Sequence, residues 1–297
     1  MRAKLPLSEG VVDRDGVRIR YEIYGDGPDT LLFIPPWAIV HSRIYKAQIP
    51  WFSDRFRCVS YDPRGNGKSS RPDCDEAYAP DHYMGDALAV LDATGTEAAI
   101  LIGMSLGGGL AAMLAAHHPR RVRAAVMLGT TATIGRGNAY TKPAHFEVKH
   151  EVYEGWDKYN REYWRRDGYE DFSRFFLGNV FSEPHSTKQL EDALEWAAET
   201  TGPTLVHTVA ARSIRPSFDV SEQMYRSIRC PLLIIHGTDD QIQPFERARL
   251  VAEVTGAELV AIEGGGHAPQ ARYPARINAL IADFLERRLG IAAPVRP

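Results

Sequence analysis

The chain has 297 residues, of which 44% are hydrophobic, so it is long enough to bury a sizeable core in one large domain or two small ones. Its formal net charge of −3 and pI near 6.4 argue against nucleic acid or an anionic membrane as partner. No apolar run approaches the ~20 residues of a membrane span, and the opening residues lack the apolar stretch of a signal peptide. We therefore expect a cytoplasmic protein.

The first predicted elements are two strands joined by Asp15-Gly16, a pair suited to a tight hairpin turn. Helical patterns follow at 81–93, 105–118 and 184–201, and a last one runs from about 274 to 288. Short apolar runs without alternation lie between helical patterns, which is typical of parallel strands covered on both faces. These runs begin at Leu31, Phe56, Ala98, Val122, Pro231 and Glu258. The pattern predicts an α/β fold, with a mostly parallel doubly wound sheet and an N-terminal antiparallel hairpin.

The alternation of strand and helix is interrupted in the middle of the chain. It stops near Gly129 and resumes at Pro231. Residues 133–215 are rich in aromatic side chains interleaved with charges, and more than half of these aromatics are expected to fill the segment's own core. We interpret 133–215 as a helical cap inserted over one end of the sheet, so that 1–132 and 216–297 form the main domain.

A candidate nucleophile lies in the segment Gly103-Met104-Ser105-Leu106-Gly107, which matches G-x-S-x-G. The segment follows an apolar strand and precedes an alanine-rich helix, which is the context this motif requires. There the serine occupies a sharp turn, and the small residues on either side let the chain pack through it. A glycine-rich helix start is the alternative interpretation, and we favour Ser105 as nucleophile.

Serine is a weak nucleophile at neutral pH and needs a base, a role that histidine fills well. Of the ten histidines, His267 lies in a glycine-rich loop between the last strand and the last helix. His117 and His118 stand at a helix end, where the helix dipole explains them, and His185 lies at a helix start. The sequence therefore predicts His267 as general base.

The acid that orients the histidine is expected after a strand. The run beginning at Pro231 ends in two candidates, Asp239 and Asp240, whereas the run ending at Leu128 is followed by no carboxylate. The oxyanion needs two backbone N–H donors, one of them from Leu106 directly after the serine. The other comes from the loop Ile34-Pro35-Pro36-Trp37. Because proline has no N–H, the first donor there is Trp37.

Together these segments resemble the α/β-hydrolase superfamily over about residues 15–288. The stretch YDPRGNGKS at 61–69 looks like the D-x-R-G-x-G-x-S segment of that family. More narrowly, PPWAIVHSRIYKAQIP, GWDKYNREYWRRD and EPHSTKQLEDALEW resemble hydrolase domains that are sometimes fused to class III nucleotide cyclases. The chain departs from most relatives at Pro35-Pro36, where they carry His-Gly, and alignment with them still places the donor at Trp37.

The resemblance implies a serine hydrolase that forms an acyl-enzyme through a Ser-His-Asp triad and needs no metal or cofactor. Members with H-G-x-x-D-x-x-x-P use the aspartate four residues before the proline, which selects Asp240 over Asp239. We expect cleavage of a carboxylic ester, lactone or thioester. C–C bond hydrolysis, acyl transfer or perhydrolysis, and a non-catalytic ligand-binding domain stay open.

The expected partner is a small-molecule substrate, and a homodimer stays open. The aromatic cap best suits an uncharged, largely apolar acyl or lactone substrate. Its expected contacts are Trp37, Trp164 and Phe176, together with His41 just beyond the proline loop. For His41 the alternative is a polar residue at a helix start.

Overall fold

The computed structural model describes residues 4–141 and 143–292, and one eight-stranded sheet runs through them. The strands are β1 Ser8–Arg14, β2 Val17–Tyr24, β3 Thr30–Ile34, β4 Arg57–Tyr61, β5 Ala99–Met104, β6 Val122–Leu128, β7 Leu232–Gly237 and β8 Glu258–Ile262. The α-helices are α1 Ile49–Phe52, α2 Pro80–Ala93, α3 Leu106–His117, α4 Pro143–Phe146, α5 Arg161–Arg165, α6 Tyr169–Val180, α7 Thr187–Ala197, α8 Gly202–Ala210, α9 Glu222–Ser227, α10 Phe245–Thr255, α11 Pro269–Arg272 and α12 Pro274–Leu289. No described helix is long and apolar enough to cross a membrane.

The strand order across the sheet is β1-β2-β4-β3-β5-β6-β7-β8. β2 pairs antiparallel with β1 and with β4, and the pairs from β4 onward are parallel. The hairpin turns at Asp15 and Gly16, whose φ angles of 55° and 81° suit a tight turn. The predicted α/β class, with its mostly parallel sheet and N-terminal hairpin, is therefore confirmed.

The helix boundaries agree closely with the sequence patterns except in one place. The patterns at 81–93, 105–118 and 274–288 correspond to α2, α3 and α12, each within a residue or two. The pattern at 184–201 is too long, since α7 covers only Thr187–Ala197. His185 has a φ of 64°, which no right-handed helix accommodates, so the helix begins after it.

Two apolar layers cover the faces of the sheet. α2, α3, α9 and α10 pack on the face to which Leu101 points, and α12 packs on the opposite face with Ile102. Both side chains are completely buried, and full burial of such a side chain contributes about 1.5–3 kcal/mol. The sheet therefore gives rigid support to the loops at the carboxyl ends of its parallel strands.

We call residues 129–231, between β6 and β7, the inserted segment. Its helices α5 and α6 carry aromatic side chains that pack on one another, and the rings of Trp164 and Phe172 lie 4.3 Å apart. α9, at its end, packs instead against α3 beside the sheet. The division into a cap at 133–215 and a main domain stays a prediction.

Candidate active site

Ser105 occupies a sharp turn between β5 and α3. Its backbone has φ 54° and ψ −117°, a conformation that costs a non-glycine residue on the order of 1–3 kcal/mol. Two hydrogen bonds hold the turn, since Ser105 N–H donates to the Leu128 carbonyl at 2.8 Å and Thr131 N–H donates to the Ser105 carbonyl at 3.0 Å. The turn is thus fixed by the end of β6 and the residues that follow it.

The glycines of the motif are required by steric contact. A Cβ at Gly103 would overlap the carbonyl oxygen of Gly107, and a Cβ at Gly107 would overlap the carbonyl oxygen of Ile34. Any side chain at either position would push the start of α3 away from β5 or β3. The G-x-S-x-G pattern is therefore explained by close packing of backbone around Ser105.

His267 and Asp240 are brought together by the loops after β8 and β7. His267 Nδ1 lies 2.8 Å from Asp240 Oδ2, and both residues are buried. Because a carboxylate only accepts hydrogen bonds, Nδ1 carries a proton, and Nε2 is the ring nitrogen that does not face Asp240. His267 and Ser105 line the same cavity.

Asp240 has polar contacts with four groups. Its Oδ1 accepts the backbone N–H groups of Ile242 and Gln243, each at 2.8 Å, and Oδ2 lies 3.0 Å from His236 Nε2 in addition to His267. Burial alone would raise the pKa of Asp240, but the charge of His267 and hydrogen bonds from His236 and His267 outweigh it. The pKa of this carboxyl is therefore held below its ordinary value.

Asp239, the competing acid, faces away from the histidine. Its side chain is exposed, and Oδ1 accepts a hydrogen bond from the Thr238 hydroxyl at 3.1 Å. Its backbone N–H donates to the Gly265 carbonyl at 3.0 Å. The structure thus places Asp240, and not Asp239, against His267.

The two expected oxyanion donors lie beside Ser105. Trp37 and Leu106 both line the cavity, and among the described residues neither backbone N–H has a hydrogen-bond acceptor. Sequence reasoning missed Tyr45, which joins the two segments that carry these donors. Its buried hydroxyl donates to the Ile34 carbonyl at 2.6 Å and accepts the Met104 N–H at 2.7 Å. Tyr45 therefore fixes the end of β3 relative to the turn at Ser105.

The inserted segment contacts the backbone of the histidine loop directly. Gly266 N–H donates to Glu183 Oε1 at 2.7 Å, and His267 N–H donates to the Val180 carbonyl at 3.2 Å. Val180 ends α6 and also lines the cavity. Glu183 was another residue that the sequence did not single out, because its partner is 83 positions away.

The cavity beside Ser105 and His267 has a volume of about 290 Å³, which suits a small organic molecule. Its walls are largely apolar, formed from the proline loop, α3, the end of α6 and the loop before α10. The apolar side chains include Leu110, Met113, Leu177, Val180, Phe181 and Ile242.

Two of the four expected substrate contacts reach this cavity. Trp37 and Phe176 line it, whereas Trp164 and His41 do not. Trp164 is completely buried behind Trp37, and its indole N–H donates to the Lys158 carbonyl at 2.7 Å. The structure therefore gives Trp164 a packing role.

His41 is buried in a separate environment. Its Nδ1 lies 3.4 Å from Asp62 Oδ1, its Nε2 lies 3.3 Å from Glu199 Oε1, and its ring meets the edge of Trp196. His41 thus links the main sheet to the inserted segment through two carboxylates. His41 does not line the cavity, so its expected contact with substrate is not supported by the structure.

One group of metal-ligand type occurs in the described residues, formed by His145, His150 and Asp157. Nε2 of the two histidines lies 3.7 and 3.8 Å from Asp157 Oδ1. His145 Nε2 also lies 3.1 Å from the Trp156 carbonyl, a contact that metal binding would break. None of the three lines the cavity beside Ser105.

The fold and the turn at Ser105 are typical of a class of hydrolases that carry a serine between a strand and a helix. A sequence model described as the alpha/beta hydrolase fold matches residues 30–272. Because that match covers most of the chain, the protein belongs to the α/β-hydrolase family, and it is an enzyme of that family. The narrower resemblance to cyclase-linked domains stays a prediction.

Individual relatives are hydrolases of several kinds. The chain is 28% identical over 283 residues to a 2-hydroxymuconate semialdehyde hydrolase of Pseudomonas sp. (strain CF600), across 89% of this chain and 85% of that protein. It is 28% identical over 286 residues to a bifunctional esterase/perhydrolase of Acinetobacter calcoaceticus, across 93% and 98%. A solved structure of a hydrolase from Pseudomonas aeruginosa PA01 aligns with TM-score 0.77 and 25% identity, covering 94% of this chain and 98% of that one.

Proposed function

We propose that the protein is a serine hydrolase that cleaves a carboxylic ester, lactone or thioester of a small, largely apolar substrate. The triad is Ser105, His267 and Asp240. The observation that carries the proposal is the 2.8 Å contact between His267 Nδ1 and Asp240 Oδ2 beside a cavity that Ser105 also lines. This contact leaves His267 Nε2 as the only ring nitrogen free to take a proton.

The reaction follows from these groups. Ser105 Oγ attacks the substrate carbonyl while His267 Nε2 removes its proton, and Asp240 stabilises the imidazolium that forms. The backbone N–H groups of Trp37 and Leu106 stabilise the oxyanion. His267 then protonates the leaving group, and a water activated by the same nitrogen hydrolyses the acyl-enzyme.

The family relatives support hydrolysis but differ in the bond they act on. One is named as an esterase/perhydrolase and another as a semialdehyde hydrolase. We choose the ester or lactone because a triad that acylates its serine needs only an activated acyl group in an apolar cavity. Acyl transfer to a peroxide, or cleavage of a C–C bond, requires additional groups that recognise those substrates.

The test combines labelling with a substrate screen. Wild-type protein is expected to react with a fluorophosphonate probe at Ser105, mapped by peptide mass spectrometry, and to hydrolyse p-nitrophenyl esters of graded chain length or simple lactones. Ser227, an exposed serine that does not line the cavity, provides the control variant Ser227→Ala, which should label normally. Labelling that persists in Ser105→Ala at the wild-type rate would contradict the proposal.

A further inference from the structure

The cavity beside Ser105 is lined by two arginines, Arg212 and Arg247, and by no aspartate or glutamate. Among the described residues neither guanidinium forms an ion pair with a carboxylate. Arg247 donates to the Ile134 carbonyl at 3.2 Å and to the Gln243 side-chain oxygen at 2.7 Å, both neutral acceptors. The cavity therefore has an uncompensated positive charge.

Arg247 is the more buried of the two. Burial lowers the pKa of its guanidinium, although an arginine keeps its proton at any physiological pH. Arg249, two positions along α10, shows the usual arrangement, since it is exposed and pairs with Glu246 and Glu253. Arg247 is only partly buried, but a partly buried cation without an anion is still unfavourable, and a bound anion would compensate it.

The surroundings of Arg247 form a polar end in a largely apolar cavity. Thr133 and Gln243 line the cavity here, and Arg247 lies against the backbone of Ile134. Its Nε and Nη1 are used by neighbouring acceptors, while Nη2 donates to no described residue. A planar guanidinium with a free terminal nitrogen is suited to bind a carboxylate.

Arg212 contributes less positive charge to the cavity than Arg247 does. Its Nη1 donates to the Tyr159 hydroxyl at 2.8 Å, and its Cζ lies 5.4 Å from the centroid of the Trp37 ring. It is largely exposed, so solvent screens its charge. Arg212 therefore adds positive potential near the proline loop without a buried charge of its own.

We propose that the substrate carries a carboxylate that binds Arg247 at this polar end, while its apolar part occupies the rest of the cavity. The inference rests on the proposed serine hydrolase function and refines its substrate. The aromatic composition of the chain predicts an uncharged substrate, but composition does not reveal which arginines have no carboxylate as partner.

The test uses two substrates that differ only in charge, mono-p-nitrophenyl adipate and its methyl ester. Wild-type enzyme is expected to hydrolyse the anion with the higher kcat/KM. Arg247→Met should lower kcat/KM for the anion by about 10- to 100-fold and leave the neutral ester almost unchanged. Arg247→Lys should recover part of the loss. Arg249→Met, on the same helix but outside the cavity, is the matched control and should change neither substrate.

Arg212→Met should reduce the preference for the anion less than Arg247→Met does. A larger loss in Arg212→Met would overturn the assignment to Arg247. Equal losses for both substrates in Arg247→Met would assign the arginine a structural role and overturn the inference. A wild-type enzyme that labels with fluorophosphonate yet prefers the neutral ester would overturn the inference while the hydrolase proposal stands.

A binding measurement covers the case in which neither ester is hydrolysed, which would count against the proposed function. Calorimetry with Ser105→Ala should show monomethyl adipate binding at least about 10-fold more tightly than dimethyl adipate. The double variant with Arg247→Met should lose this difference. Equal binding of the two probes to Ser105→Ala would overturn the proposed carboxylate site, whether or not the enzyme hydrolyses either ester.

Discussion

The loops at the carboxyl ends of the strands and the inserted segment contribute to the same cavity in different ways. In the loops, each chemical group is fixed by backbone, as Ser105 is by Leu128 and Thr131. In the inserted segment, most aromatic rings pack on one another, while the end of α6 and residues such as Thr133, Tyr159 and Arg212 line the cavity. The loops therefore set the chemistry, whereas the inserted segment shapes the space and supports the histidine loop.

The largest effect is expected in the loops. Ser105→Ala and His267→Ala should each lower kcat by on the order of 10⁴ to 10⁶, and the double variant should be no worse, because the triad acts as a unit. Steady-state kinetics on an ester found in the screen measures this. If His267→Ala retained most of its activity at neutral pH, the base would have to be another group.

Asp240 and Asp239 provide the sharpest comparison between neighbours. Asp240→Asn should lower kcat by on the order of 10³ to 10⁴, because a neutral asparagine neither stabilises the charged imidazolium nor fixes the tautomer of His267 as a carboxylate does. Asp239→Asn should have little effect, since that side chain is exposed. Both variants should be shown to fold by circular dichroism, and the reverse order of activities would overturn the assignment.

Substitution of Glu183 tests whether the inserted segment affects the rate of the chemical step as well as the shape of the cavity. Glu183→Ala removes the acceptor of the Gly266 N–H and should lower kcat by about 10-fold with little change in KM, because a buried donor is left unpaired. Glu183→Gln keeps an acceptor oxygen and should retain most of the activity. A change confined to KM would show that Glu183 affects only substrate binding.

The smallest effect on turnover is expected within the aromatic cluster. Trp164→Ala should lower the free energy of unfolding by about 3–5 kcal/mol and keep the ester chain-length profile. Phe176→Ala should shift that profile toward longer acyl chains, because Phe176 lines the cavity. Melting temperatures and chain-length profiles of both variants distinguish the two roles. An altered profile in Trp164→Ala alone would reverse them.

Local signals allowed the sheet and the turn at Ser105 to be predicted. The apolar runs marked buried strands, and Gly103 and Gly107 marked a place where no side chain fits. The role of Asp240 was expected from a spacing in related sequences, and it stays a proposal together with the rest of the triad.

Other parts of the site depend on contacts between distant positions, which no local pattern encodes. Tyr45 bonds to Met104 across 59 positions, and Arg247 contacts Ile134 across 113. Trp164 and Phe176 are both aromatic residues on helices, and only packing decides which of them faces the cavity. Sequence composition therefore suggested an aromatic pocket but could not say which rings form it.

The left-handed backbone at Ser105 also has a consequence for how the protein tolerates change. A relaxed residue at this turn would make the folded state more stable, and glycine is the residue that adopts such a conformation with least strain. Random variants selected only for resistance to heat should therefore accumulate glycine at position 105. If Ser105 is the nucleophile, as proposed, its retention costs stability and is maintained by selection for reactivity.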